Sequence, residues 1–271
     1  MRISRWLILF PSIFLLALVG HTAEPITGNP VSDDDPFEMD RPGELENPYA
    51  LAPGQALLTN YVVAINAAGR DDEFNTEASA IFLDTAVRYG LFDRVEGIVA
   101  LDTFLKANVP DSGGGSTEGL GYATFTAKWT VLKDPQGEFG VGLAPFVRVP
   151  LDHGITGSNR LAEGLSVPFA VDLEGGWDLQ GSSSVARTPT GEASWSTEWE
   201  NQVEIERALT RRLSVYTELE LQVGGDLPAW AAEFGIACRF TRTLQGDLGT
   251  SLGLGRNAHG RQGYLGLGWR L

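Results

Sequence analysis

Cysteine is nearly absent: Cys238 stands alone in 271 residues, so neither an intramolecular disulfide nor a thiolate metal cluster can form. With no histidine beside it in sequence, Cys238 reads as a small apolar residue on the outer face of a strand. Basic residues are also few, 20 Lys and Arg against 35 Asp and Glu, for a formal net charge of −15. No basic stripe exists to displace counterions from a phosphate backbone, which excludes nucleic acid as a partner. Histidine is scarcer still, at 3, and His21 falls in the N-terminal leader. His153 and His259 fall in predicted loops. Ser158 lies near the first, but no acid or amide completes a Ser-His-acid set and nothing positions a second acidic pair beside Asp152. No glycine-rich loop precedes a helix in the way that cradles phosphate. Beyond the leader, no segment reaches the ~18 uninterrupted apolar residues that a membrane-spanning helix needs.

What is present is a leader followed by strands. Arg2 and Arg5 precede an apolar run from Trp6 to Val19, with small residues at Gly20 and Ala23, which is the build of a secretory signal peptide. Residues 1–23 are therefore expected to direct export, with cleavage after Ala23, although His21 is a poor fit to the small-residue rule. No cysteine follows the run, so a lipid anchor is not indicated. Residues 24–54 carry Ser32-Asp33-Asp34-Asp35-Pro36, Asp40-Arg41-Pro42 and Asn47-Pro48. Proline fixes φ and removes a donor, so this stretch is expected to be an extended, solvated periplasmic lead-in and not a ladder strand. A calcium loop counted from Asp33 would find Asp35 and Glu44 in place. It fails at Phe37, a ligand position, and at Glu38, where the turn needs glycine.

Residues 55–271 are organised around patterns such as Leu213 to Val223, LSVYTELELQV, whose apolar and polar residues alternate with a period of two. Its length matches the ~9 to 11 residues of a tilted strand crossing a bilayer. Similar runs fall near 56–65, 77–88, 94–105, 119–132, 138–149, 164–173, 176–187, 192–207, 213–223, 229–241, 244–256 and 262–271. With 43% hydrophobic residues, 20% charged and 33 glycines, they suit one large β-domain. The pattern predicts an all-β fold: a transmembrane, antiparallel, up-and-down barrel of about twelve strands. Short turns at 89–93, 133–137, 174–175, 208–212 and 242–243 alternate with connections at 66–76, 106–118, 150–163, 188–191, 224–228 and 257–261. That arrangement places the N- and C-termini in the periplasm.

Lipid-facing positions follow from the alternation: Leu57, Tyr61 and Val63; Ile81, Leu83 and Val87; Val95, Val99 and Leu101; Phe125, Trp129 and Val131; and Leu265, Leu267, Trp269 and Leu271. Tyr89, Trp129, Trp177, Phe240 and Trp269 fall near one rim, and Trp195 and Trp230 near the other, as two aromatic girdles would. A soluble β-sandwich is the competing fold, with the aromatics as core. The ending Tyr264 to Leu271, YLGLGWRL, is similar to the terminal strand signal through which barrels engage the barrel-assembly machinery, with Leu in place of the more usual Phe.

The chain also resembles the outer-membrane transporters grouped as the MetA-pathway of phenol degradation family. The resemblance rests on Asp40-Arg41-Pro42, Glu46-Asn47-Pro48 and Pro53-Gly54, on Arg88 to Glu96 (RYGLFDRVE), and on Leu209 to Tyr216 (LTRRLSVY). It covers residue 40 to the C-terminus and departs from the family pattern at Pro150 to Gly154. What it implies is an outer-membrane barrel linked to uptake of aromatic or other small apolar compounds, with no substrate established.

A permeation function would live on the inward faces. The candidate lumen residues are Asp84, Arg88, Glu96, Lys128, Arg148, Glu198, Glu200, Glu204, Glu218, Glu220, Glu233 and Arg239. Carboxylates dominate, and a carboxylate wall is costly unless it is wet or paired. Two outcomes stay open: a polar bore that selects cations or orients a solute, or an ion-pair network that fills a narrow barrel. The expected activity is therefore channel-mediated uptake of a small solute across the bacterial outer membrane. Outer-membrane lipid and the solute are the partners, with no metal, no cofactor and no enzymatic step. The alternatives are a non-conducting or loop-displaying barrel and, further off, a rim hydrolase.

Overall fold

The computed structural model describes residues 47–68, 77–108, 116–152, 158–190, 194–224, 228–254 and 260–271. Residues 1–46, with the leader, Ala23 and the rejected calcium loop, lie outside them, as do His153, His259 and the glycines at 113–115. The described residues form twelve strands: β1 (Ala56–Ala68), β2 (Glu77–Phe92), β3 (Val95–Asn108), β4 (Ser116–Lys133), β5 (Phe139–Pro150), β6 (Ala162–Leu173), β7 (Trp177–Thr190), β8 (Ser194–Ala208), β9 (Leu213–Val223), β10 (Ala229–Arg239), β11 (Leu244–Leu254) and β12 (Arg261–Arg270). Each pairs antiparallel with its neighbours in the chain, and β1 pairs with β12 to close the barrel. Closure removes the sheet edges, the condition for a β-structure to sit in lipid.

β9 shows why the chain folds inside out. On adjacent positions, Glu218 is 2% exposed and Leu219 is 52% exposed. In water that order would be reversed. Lipid is the solvent for one face here, so the period-two pattern turns its leucines outward and its carboxylates into the bore. Val87, Val99, Phe125, Phe234, Leu248 and Leu265 continue the exposed apolar belt around the wall. Tyr89, Trp129, Trp177, Phe240 and Trp269 are exposed near one end of the barrel, as a girdle requires, and Trp230 is exposed near the other, where Trp195 is only half-exposed beneath the guanidiniums of Arg160 and Arg187.

One end is closed by short turns at 93–94, 134–138, 174–176, 209–212 and 240–243. Left-handed backbone makes three of them tight, at Arg94, Gly137 and the pair Gly175 and Gly176. Leu57 pairs with Arg270, so the start of β1 and the end of β12 lie at this same end.

The outward expectation for β1 is inverted. Leu57, Tyr61 and Val63 are at most 2% exposed, while Val62 is 44% exposed. Both alternating sets of ALLTNYVV are largely apolar, so the pattern has no phase of its own. Packing sets it instead: the Tyr61 ring meets Tyr264 edge-on at 6.1 Å, and its hydroxyl donates to Asp247 Oδ2 at 3.4 Å.

Glycine makes that packing possible. Tyr61, Tyr264 and Tyr216 sit directly across from Gly266, Gly249 and Gly235. A Cβ on any of these glycines would overlap the facing ring. They act as beds for the inward tyrosines, as aromatic rescue of strand glycines does elsewhere. Gly266→Val is expected to cost about 1–3 kcal/mol through overpacking, read as a lower urea midpoint with an unchanged slope.

Candidate functional site

At the short-turn end the bore is occupied by the chain's own residues 47–55. Asn47 and Pro48 are buried, not the solvated linker expected from composition. Their backbone groups find partners on the barrel wall, which is what a proline-containing segment without a ladder requires. Thr130 Oγ1 donates to the Pro48 carbonyl at 2.9 Å and accepts from Ala50 N–H at 2.8 Å. Arg88 Nη2 donates to the Tyr49 carbonyl at 3.3 Å, and the Tyr49 hydroxyl donates to the Gly137 carbonyl at 3.2 Å. The wall is hollowed to fit. A Cβ on Gly90 would overlap the Ala52 carbonyl, one on Gly140 the Tyr49 ring, and one on Gly142 would crowd Pro48 and Pro168.

Beneath this strap lies a buried charge cluster. Glu96 Oε1 takes both Arg88, at 2.8 Å from Nη2, and Lys128, at 2.9 Å. Glu96 Oε2 accepts the backbone N–H of Leu51 at 2.8 Å. One carboxylate thus ties β2, β3 and β4 to the strap. The side chains of Glu96 and Lys128 are fully buried and that of Arg88 nearly so. A charge taken so far from water is tolerable only when paired and hydrogen-bonded, as Glu96 is.

Midway along the bore, Glu204, Glu218 and Glu233 form one row across β8, β9 and β10, each Cα-paired with the next. All three are almost fully buried, as is Asp247 on β11. The hydroxyls of Tyr216 and Tyr264 meet over Gly235 and Gly249, and Tyr264 donates to Glu233 Oε1. Gln202 is held by Ser182 at 2.8 Å and itself donates to Glu200 at 2.7 Å. Buried polar side chains line this level of the lumen.

Toward the other end the lining becomes more exposed. Asp84 and Asp102 face each other across β2 and β3. Tyr122 on β4 and Arg148 on β5 belong to the same stretch of wall, Tyr122 pairing with Pro150 and Arg148 with Thr124. Arg148 is exposed and its guanidinium lies 5.1 Å from the Phe146 ring centre. Ser196 donates to Glu198 at 3.0 Å. This end is a mouth of mixed charge, acidic in balance.

The structure therefore divides the twelve residues singled out in the sequence. Arg88, Glu96 and Lys128 come together under the strap, and Glu204, Glu218 and Glu233 form the middle row. Asp84, Arg148, Glu198 and Glu200 lie toward the mouth, and Glu220 stands in register with Gln202 beside them. Arg239 is half-buried near the short-turn end, with its backbone N–H on the Arg212 carbonyl at 2.8 Å. Sequence reasoning missed other residues packed inside the bore: Pro48 to Leu51, Thr130, the three tyrosines and Asp247. Their one sequence signal is that Tyr216, Tyr264 and Asp247 alternate with apolar neighbours in their strands. Among the described residues, no group of three or more His, Cys, Asp or Glu is placed to hold a metal ion.

A family model described as "Putative MetA-pathway of phenol degradation" matches residues 40–271. Among solved structures, the COG4313 outer membrane channel from Pseudomonas putida F1 is similar at 16% identity and a TM-score of 0.68, over 86% of this chain and 100% of that one. The NanC porin is similar at 10% identity and a TM-score of 0.56, over 79% of this chain and 100% of that one. At these identities the likeness is one of fold, an outer-membrane-type barrel. No curated protein sequence matches the chain.

Proposed function

The chain belongs to the phenol-degradation MetA-pathway family matched over residues 40–271, and from that premise we propose that it is an outer-membrane channel for small solutes. The observation that carries the reading is a bore lined by hydrogen-bonded charged residues inside a wall whose outer face is apolar. A barrel built only for rigidity could fill its core with apolar side chains at lower desolvation cost. The acidic balance at the mouth, with Asp84, Asp102, Glu198 and Glu200 around Arg148, favours cations or solutes with a positive or hydrogen-bond-donating group. Aromatic compounds are the solute class that the family description supports. The relatives titled as a channel and a porin support a non-enzymatic role.

Topology follows from the same reading. The leader is removed after Ala23, the short turns and both chain ends lie in the periplasm, the longer connections face outward, and β12 engages the assembly machinery. The strap then closes the periplasmic end of the bore. Single-channel recording of the mature chain in a planar bilayer, under cation and anion gradients, tests the function. Discrete, cation-preferring events are expected, and Glu198→Lys with Glu200→Lys should shift the reversal potential toward anions. A folded barrel that stays silent even after the strap is released would favour the second reading, a non-conducting structural barrel, for which the complete burial of Lys128 and Glu204 speaks.

A further inference from the structure

The outer wall carries a second feature that the lumen does not explain. Across β8 to β11, beside Trp177, an apolar groove of about 900 Å3 runs along the lipid-facing surface. That is within the ~300 to 1,000 Å3 typical of small-molecule sites. Ile205, Val215, Phe234, Ile236 and Leu248 line it. Its two threonines add little polarity, because Thr217 spends its hydroxyl on the Glu233 carbonyl at 3.0 Å and Thr250 on the Gln262 carbonyl at 2.9 Å. The pairing of β10 with β9 and with β11 is unbroken from residue 230 to 238, so the groove has no slot into the bore. It is a surface for something that stays in the membrane.

The short-turn end of the groove has a different chemistry. Arg207 lines it there, with its guanidinium 4.8 Å from the Trp177 ring centre and one donor on the Gly175 carbonyl. Leu209 lines it too, and the exposed Arg211 and Arg212 follow in the same turn. Arg242 is exposed in the turn between β10 and β11. These two turns, LTRR and FTRT, hold three arginines and no acid, on a chain whose net charge is −15. Arginine presents five donors in a fork that matches phosphate, and an aromatic side chain at this level marks the headgroup boundary.

We propose that this wall holds one glycerophospholipid, its acyl chains in the groove and its phosphate on the arginines at the short-turn end. The inference rests on the barrel standing in a membrane and not on its conducting solutes. Native mass spectrometry of the full mature chain in detergent tests it with three probes: dioleoylphosphatidylglycerol, dioleoylglycerol and inorganic phosphate. One phosphatidylglycerol per barrel should be retained, about tenfold more strongly than either dioleoylglycerol or phosphate alone, a difference of about 1.4 kcal/mol. Arg211→Ala with Arg212→Ala should weaken retention through the phosphate. Leu248→Trp, which fills the groove from the lipid side at a position paired with Ile236 and Leu265 and not with Arg207, should weaken it through the chains. Both variants should keep the heat-modifiable gel mobility of a folded barrel and wild-type conductance, since both sites lie outside the bore. Equal retention of phosphatidylglycerol by wild type and both variants would overturn the proposal. So would inorganic phosphate held as well as the lipid, which would make the turns a plain anion site.

Discussion

Loosening the strap is expected to turn a barrel that opens rarely into one that is open much of the time. Thr130→Val deletes two hydrogen bonds at once, the one to the Pro48 carbonyl and the one from Ala50 N–H. Each is worth about 0.5–1.5 kcal/mol net, so the two together hold the strap by about 1–3 kcal/mol. Every 1.4 kcal/mol shifts the balance between seated and released strap about tenfold, so this single change should raise the open fraction by one to two orders of magnitude. Gly90→Val reaches the same end sterically, because its side chain would occupy the place of the Ala52 carbonyl. The measurement is open probability in a planar bilayer, paired with limited proteolysis of residues 47–55 in folded barrels. Both variants should conduct at least about tenfold more current than wild type, and the strap should become cleavable. If the strap is cut in both variants and conductance does not rise, the packed row of Glu204, Glu218 and Glu233 is the true barrier and the strap only covers it.

The largest loss of stability is expected from Glu96→Ala. Its carboxylate is the shared partner of Arg88 and Lys128, and it also receives Leu51 N–H. Removing it leaves two buried cations facing each other, and breaking a buried pair in this way costs about 3–5 kcal/mol. Urea unfolding followed by tryptophan fluorescence should show an unfolding free energy lowered by that amount, with the midpoint falling in proportion. Combining Glu96→Ala with Lys128→Met removes one stranded charge and should recover part of the loss, which separates electrostatic destabilisation from a simple cavity. A Glu96→Ala barrel as stable as wild type would mean that water reaches the cluster, contrary to the complete burial of Glu96 and Lys128.

These two experiments turn on residues of different legibility. Arg88, Glu96 and Lys128 could be marked as inward because each sits on the polar phase of an alternating strand. Nothing in the sequence said that they meet, since their contacts depend on the registers of β2 with β3 and of β3 with β4. The strap was harder to read. Its prolines and acidic neighbours look like a solvated linker, and its burial follows from Gly90, Gly140 and Gly142, whose role is visible only once Ala52, Tyr49 and Pro48 lie against them. The role of Gly249 and Gly266 as beds for tyrosine rings likewise shows only once the facing strands are in place.

The sequence by itself determined the barrel, its strand count, the face of most strands and the aromatic girdle at the short-turn end. All of these follow from a local two-residue period, repeated and interrupted by turns, which a neighbour across the sheet cannot change. The tertiary structure alone decided the phase of β1, the packing of the strap against the inner wall and the partition of the charges into a strap anchor, a middle row and a mouth. Each of those depends on which side chains face one another across a closed cylinder. That is fixed by strand register and by the return of residues 47–55 into the lumen, and neither leaves a periodic trace in the chain.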